Sequence, residues 1–148
     1  MASEKLKVAI SGANSFTGLW IARKFAEAGW EVCGLTGSKK DTYSGLKLAR
    51  TKELEKVAKL SDQTPAENGS MAKWILRERP AIWIHHHHFM EDYRKPEYDL
   101  KRAEEVAVQP LPELIRALVD SSCEGVIFSG SYFEPSEGGK TPELGATP

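Results

Sequence analysis

The sequence lacks the features that would direct it to a polyanion, a bilayer or a structural metal. Twenty Lys and Arg stand against 21 Asp and Glu, leaving a net charge of −1. No excess of either sign therefore favours nucleic acid or an anionic membrane surface. Cysteine occurs only at Cys33 and Cys123, each inside an apolar run and without metal-type spacing. Two cysteines cannot build a disulfide framework, so reduced, buried thiols and a cytoplasmic setting are the expectation. Met1 to Lys7 has no signal-peptide core, and no apolar stretch is long enough to span a bilayer. There is no internal repeat and no low-complexity tract. What is present, 41% apolar and 28% charged residues in 148 positions, suits one soluble globular domain with one core.

Short apolar runs alternate with helical periodicity. Lys7–Ser11 reads as a strand, Gly12–Ser15 as a turn, and Phe16–Ala28 as a helix with Leu19, Ala22, Phe25 and Ala26 on one face. Gly29 suits the helix end. Trp30–Leu35 reads as a second strand, followed by a polar loop, Gly37–Lys40. Leu46–Leu60 has helical composition, with a third strand expected near Val57–Leu60. Ser70–Arg79 reads as a helix stopped by Pro80, and Ile82–Ile84 as a fourth strand. Phe89–Asp99 reads as loop. Leu100–Asp120 is helical, with Pro110 and Pro112 predicting a kink or break. Gly125–Ser129 reads as a fifth strand, and from Tyr132 onward no regular element is expected. Strands that are continuous apolar runs, alternating with helices, predict an α/β fold: a doubly wound, Rossmann-type parallel sheet of about five strands, ordered 3-2-1-4-5.

The sharpest motif is Gly12-Ala13-Asn14-Ser15-Phe16-Thr17-Gly18, between the first strand and the first helix. Gly12 permits a sharp turn, Gly18 permits close packing of helix on strand, and the helix start offers N–H groups and a positive dipole end to a pyrophosphate. The alternative is a plain strand-to-helix turn that binds nothing. Ser15 stands where glycine is usual, so its side chain either crowds the pyrophosphate or helps hold it.

Val8 to Gly18 resembles the opening of the extended short-chain dehydrogenases, the NAD-dependent epimerase/dehydratase family, with the Gly-x-x-Gly-x-x-Gly spacing occupied by Gly12, Ser15 and Gly18. Pro80-Ala81-Ile82-Trp83-Ile84-His85 resembles that family's fourth strand. Val126-Ile127-Phe128-Ser129-Gly130-Ser131 resembles its fifth strand and serine-rich end. The resemblance runs from Lys5 to about Tyr132. It implies an NAD(P)-binding domain over 1–131, followed by an irregular segment over 132–148, and a sugar-nucleotide or small carbonyl substrate. It also implies that Ser131 is the catalytic hydroxyl. The family's Tyr-x-x-x-Lys acid/base pair has no counterpart at the expected place, so the C-terminal part of the fold is expected to be absent. Tyr43 and Lys47 match that pattern in the wrong region, and Tyr132 and Lys140 lack its spacing. Ala107 stands where the family often has an Asn.

His85-His86-His87-His88 follows the fourth strand, where the family has small residues beside the cofactor ribose. Alternation pairs His85 with His87 and His86 with His88. A closed zinc site needs about four ligands, and no second cluster supplies the rest, so no metal is expected. Instead His85 and His87 are read as contacts of the cofactor cleft, and His87 and His88, in place of small side chains, either crowd the cofactor or contact its phosphates. An NAD site usually places Asp or Glu at the end of the second strand. Here Thr36 stands near that position and Gly37-Ser38-Lys39-Lys40 follows, which suits a 2′-phosphate, so NADP is preferred over NAD. Asp62 is placed near the adenine. The expected cofactor contacts are thus Gly12, Asn14, Ser15, Phe16, Thr17, Gly18, Thr36, Ser38, Lys39, Asp62, His85 and His87. Three functions remain open: an oxidoreductase or epimerase, a non-catalytic dinucleotide-binding sensor or subunit, and a truncated remnant without activity. A homodimer through the fifth-strand edge is a further alternative.

Overall fold

The computed structural model describes residues 5–88 and 96–130. Its five parallel strands are β1 (Lys7–Ser11), β2 (Glu31–Leu35), β3 (Lys59–Ser61), β4 (Ile82–His85) and β5 (Gly125–Phe128). Their order in the sheet is β3-β2-β1-β4-β5, the order expected from the sequence. The helices are α1 (Phe16–Glu27), α2 (Gly45–Leu54), α3 (Ser70–Glu78), α4 (Leu100–Val108) and α5 (Leu111–Asp120), with one 3-10 turn at Lys40–Thr42.

Because side chains alternate across a strand, β1 feeds two cores. Val8 and Ile10 join Leu19 and Ala22 of α1, Val32, Leu54 and Ile84 on one face. Ala9 joins Cys33, Leu35, Trp83, Met71 and Ile75 of α3, and Leu114 and Leu118 of α5 on the other. Both faces of the sheet are therefore covered at β1, which is why β1 reads as an unbroken apolar run.

The departures from expectation have local causes. The helix expected over Leu46–Leu60 ends at Leu54, and the N–H groups of Val57 and Ala58 both turn back to Leu54 O. This frees Lys59–Ser61 to pair in parallel with Cys33–Leu35, so β3 lies slightly later than Val57–Leu60. Trp30 precedes β2 rather than starting it, and its ring packs edge-on against Phe25 with centroids 5.4 Å apart. Arg79 ends α3 in a left-handed conformation (φ 49°). The helix expected over Leu100–Asp120 is two helices, and Pro110 stands at the start of the second. None of the described helices is long and apolar enough to cross a membrane.

Candidate nucleotide site at the glycine turn

The site lies at the carboxyl ends of the strands. Gly12 follows β1 with φ +66°, and a Cβ there would stand 2.8 Å from the His86 carbonyl oxygen. A Cβ on Gly18 would stand 2.7 Å from the Gly12 carbonyl oxygen. The first glycine is thus required by both conformation and space, and the second by space. Ser15 caps α1: its Oγ accepts from the Gly18 N–H at 2.9 Å. The amides of Phe16 and Thr17 belong to the first helical turn, where a helix supplies no partner of its own.

Two side chains fasten this turn to its surroundings. Asn14 is buried and donates from Nδ2 to Thr51 Oγ1, while Arg50 Nε donates to the Asn14 carbonyl at 3.2 Å. The turn is therefore tied to α2. Ser11 is buried, and its Oγ accepts from the N–H groups of His86 and His87, both at 3.0 Å. That contact pins the chain as it leaves β4.

The four histidines have separate environments. His85 follows Trp83 on the same strand face, the one packed on α3 and α5. Its ring lies between Trp83 and Phe128, with centroids 6.4 and 5.3 Å away. Burial, followed by the charges of His87, His88 and His86, pushes its pKa down to about 4. His86 lies on the cleft side. Its Nε2 is 3.0 Å from Ser15 Oγ and its Nδ1 is 2.5 Å from Ser129 Oγ. Burial, with a smaller effect from His88, holds its pKa below the ordinary histidine value. His87 Nε2 is buried and has no hydrogen-bond partner among the described residues. Burial lowers the His87 pKa; Glu67 opposes that shift, and His88 and Lys47 reinforce it.

Around these groups lies a cavity of about 430 Å³. Gly12, Asn14, Ser15 and Phe16 form one wall, and His86, His87 and His88 another. Gly37, Ser38, Tyr43, Lys47 and Arg50 complete it. Among the described residues no carboxylate lines it. Tyr43 is held by its hydroxyl, which accepts from the Ser38 N–H and donates to the Ser38 carbonyl, each at 3.2 Å. Lys47 Nζ lies 4.9 Å from the Tyr43 ring centroid. A neighbouring hollow of about 380 Å³ shares Tyr43 and is lined by Lys39, Lys40, Asp41, Leu48 and Asp62. Lys40 is ion-paired with Glu55.

Of the residues expected from the sequence, Gly12, Asn14, Ser15, Phe16, Ser38 and His87 line the larger cavity. Lys39 and Asp62 line the neighbouring one. Gly18 is buried behind the turn, Thr17 is exposed on α1, and Thr36 is buried with its Oγ1 donating to the Ser38 carbonyl. His85 does not line the cavity. Ser131 lies outside the described residues. Sequence reasoning missed His86, Tyr43, Lys47 and Arg50, whereas His88, which it set beside the cofactor with His87, does line the cavity. Lys47 and Arg50 are three apart on a helix whose buried members are Thr51 and Leu54. That shared face was a usable signal once α2 was known to start at Gly45. Among the described residues, no group of three or more His, Cys, Asp or Glu could hold a metal ion.

The topology and the glycine turn together decide the architecture. The chain has a Rossmann-type fold. No protein-family model and no curated protein matches the chain. Solved structures do. A UDP-glucose-4-epimerase from Stenotrophomonas maltophila, with bound NAD and formylated UDP-arabinopyranose, aligns with a TM-score of 0.66 at 12% identity, over 87% of this chain and 38% of that one. A UDP-Glc/GlcNAc 4-epimerase from Campylobacter jejuni aligns at 0.66 and 18% identity, over 86% and 38%. A serine dehydrogenase from Escherichia coli aligns at 0.62 and 14% identity, over 86% and 63%. The Rossmann-type chain thus spans about two fifths of the length of the epimerases it matches.

Proposed function

We propose that this domain binds a nicotinamide dinucleotide, with NADP preferred to NAD, as the cofactor-binding part of an epimerase/dehydratase-like oxidoreductase. The observation that carries the reading is the cavity at the start of α1, which holds Lys47 and Arg50 and no carboxylate among the described residues. A helix N-terminus with backbone donors suits a phosphate. A carboxylate at the end of β2 would bind the ribose 2′-hydroxyl of NAD and repel a 2′-phosphate. Thr36 takes that position, buried and bonded to Ser38, while Lys47, Arg50 and Lys39 provide cations nearby.

In this reading the Tyr43 ring and Ser38 flank the adenosine, and Lys47 and Arg50 meet the 2′-phosphate. Gly12 and the first turn of α1 meet the 5′-phosphate. Ser131 is carried as the substrate-facing hydroxyl on its motif alone, and a sugar-nucleotide or small carbonyl compound is the proposed substrate class. The solved structures with NAD and UDP-sugars support that class by analogy of fold. Residues 1–131 form the binding domain and the setting is cytoplasmic.

The test is titration with NADPH and with NADH, following energy transfer from Trp20, Trp30, Trp74 and Trp83 to the reduced nicotinamide. Saturable binding is expected, with NADPH tighter by about tenfold, which corresponds to ~1.4 kcal/mol. Lys47→Ala should remove most of that difference and leave NADH unchanged. A folded sample that binds neither cofactor would overturn the reading.

A further inference from the structure

Among the described residues the cavity lining ends at the histidines, although the cleft in which a dinucleotide lies must continue past them. In this strand order the chain reverses between β1 and β4, and a dinucleotide crosses the carboxyl ends of the strands at that point. Its adenosine half lies over the β1–β2 side and its nicotinamide half over the β4–β5 side. Yet among the described residues none of the cavity lining comes from β5. The lining comes instead from the glycine turn, the loop after β2, α2 and the three histidines that leave β4.

The His86 imidazole makes this boundary. It bridges the two sides of the crossing, with Nε2 against Ser15 Oγ at 3.0 Å and Nδ1 against Ser129 Oγ at 2.5 Å. Ser15 belongs to the phosphate turn, and Ser129 follows β5. One arrangement of protons satisfies every member. Ser15 Oγ already accepts from the Gly18 N–H, so its own proton goes to Nε2. The Nδ1–H donates to Ser129 Oγ, which donates in turn to the His85 carbonyl at 3.1 Å. The backbone beneath is fixed by Ser11 Oγ, which accepts from the His86 and His87 amides. The ring is therefore a fully bonded crosspiece on a pinned backbone.

We propose that the site as built accepts an adenosine phosphate, and that a complete dinucleotide binds only after the His86 imidazole leaves the Ser15–Ser129 bridge. The inference rests on the reading of the cavity as a nucleotide site. If the unbridged form is a tenth of the population or less, dinucleotide affinity falls by ~tenfold or more, while a ligand confined to the adenosine side loses nothing.

The experiment measures adenosine 2′,5′-bisphosphate and NADPH by calorimetry on the full chain, on His86→Ala and on Ser129→Ala. The wild-type chain should bind the bisphosphate at least as tightly as NADPH. His86→Ala should tighten NADPH by ~tenfold and leave the bisphosphate within about twofold. Ser129→Ala removes one partner of the ring and leaves the imidazole in place, so it should tighten NADPH by a smaller factor, ~threefold. It keeps the test decisive if His86→Ala does not fold. Wild-type NADPH binding about tenfold tighter than the bisphosphate, unchanged or weakened in the variants, would overturn the inference and leave the nucleotide site intact. So would bisphosphate binding with no NADPH binding in any of the three chains. Binding of neither ligand by any folded chain would sink the nucleotide reading itself, and this inference with it.

Discussion

β1 and β5 are both short apolar runs, and the sequence offers little to tell them apart. In the fold they differ completely. Val8, Ala9 and Ile10 are fully buried, whereas Val126, Ile127 and Phe128 are 43, 49 and 57% exposed. β1 has a strand on each side and helices on both faces; among the described residues β5 pairs only with β4 and forms the end of the sheet. An apolar run therefore specifies a strand without specifying its depth, which the neighbours on both edges and both faces decide. The same contrast runs through the site. The β1 side is packed and fastened by Asn14, Ser11 and Arg50, while Ser129 and Gly130 at the end of β5 are exposed.

Substitution of register partners should show the contrast at its largest. Trp83 and Val126 face each other across β4 and β5, and Trp83 is only 1% exposed. Trp83→Ala should cost about 3–5 kcal/mol, and Val126→Ala less than about 1 kcal/mol, in the midpoint of urea unfolding. Equal losses would mean that β5 is covered in solution.

The glycines sharpen the comparison. Gly12→Ala places a Cβ 2.8 Å from a backbone oxygen at φ +66°, so neither the conformation nor the neighbour can yield cheaply. A loss of about 2–4 kcal/mol is expected. At Gly125 the one close atom among the described residues is Ile82 Cδ1 at 2.9 Å, the far end of a flexible side chain. Gly125→Ala should therefore change stability by less than about 1 kcal/mol.

A pH series addresses the boundary between the two halves, where the histidines stand. The pKa of His85 is about 4 in the folded chain, against about 6.5 for an unfolded histidine. The folded state thus binds fewer protons between these values. The stability due to neutral His85 is fully present above pH 6.5 and is lost as pH falls toward 4. The expected slope is ~1.4 kcal/mol per pH unit in that window. His86 and His87, also lowered, act in the same direction. His85→Leu should flatten the slope, as followed by urea midpoints at successive pH values. A wild-type slope of zero would mean that the histidines are solvated.

The legibility of the molecule follows the same division. The five strands, their order and the glycine turn could be read because short-range rules act there: turn residues, strand alternation and helix periodicity leave marks within a few positions. The break at Pro110 was legible for the same reason. The end of α2 was not, because Leu54 to Ser61 has helical composition, and only pairing with Cys33–Leu35 makes its last three residues a strand. Much of the cavity was hidden too. Lys47, Arg50 and Tyr43 reach it through the placement of α2 against the turn. His86 rather than His85 faces it because of the phase of β4, which a run of four identical residues cannot reveal.

The smallest expected effect separates a cap from a bridge. Ser15 and Asp99 each cap a helix, accepting from the N–H groups of Gly18 at 2.9 Å and Arg102 at 2.8 Å. Loss of either cap should cost about 1 kcal/mol. Ser15 Oγ also meets His86 Nε2, a contact that Asp99 does not make. Ser15→Ala should therefore cost more than Asp99→Ala, and the excess should vanish in the background of His86→Ala. A double-mutant cycle on Ser15 and His86 should return a coupling of about 0.5–1 kcal/mol. A coupling within error of zero would mean that the imidazole does not hold the turn, and that the cleft is open between its two sides.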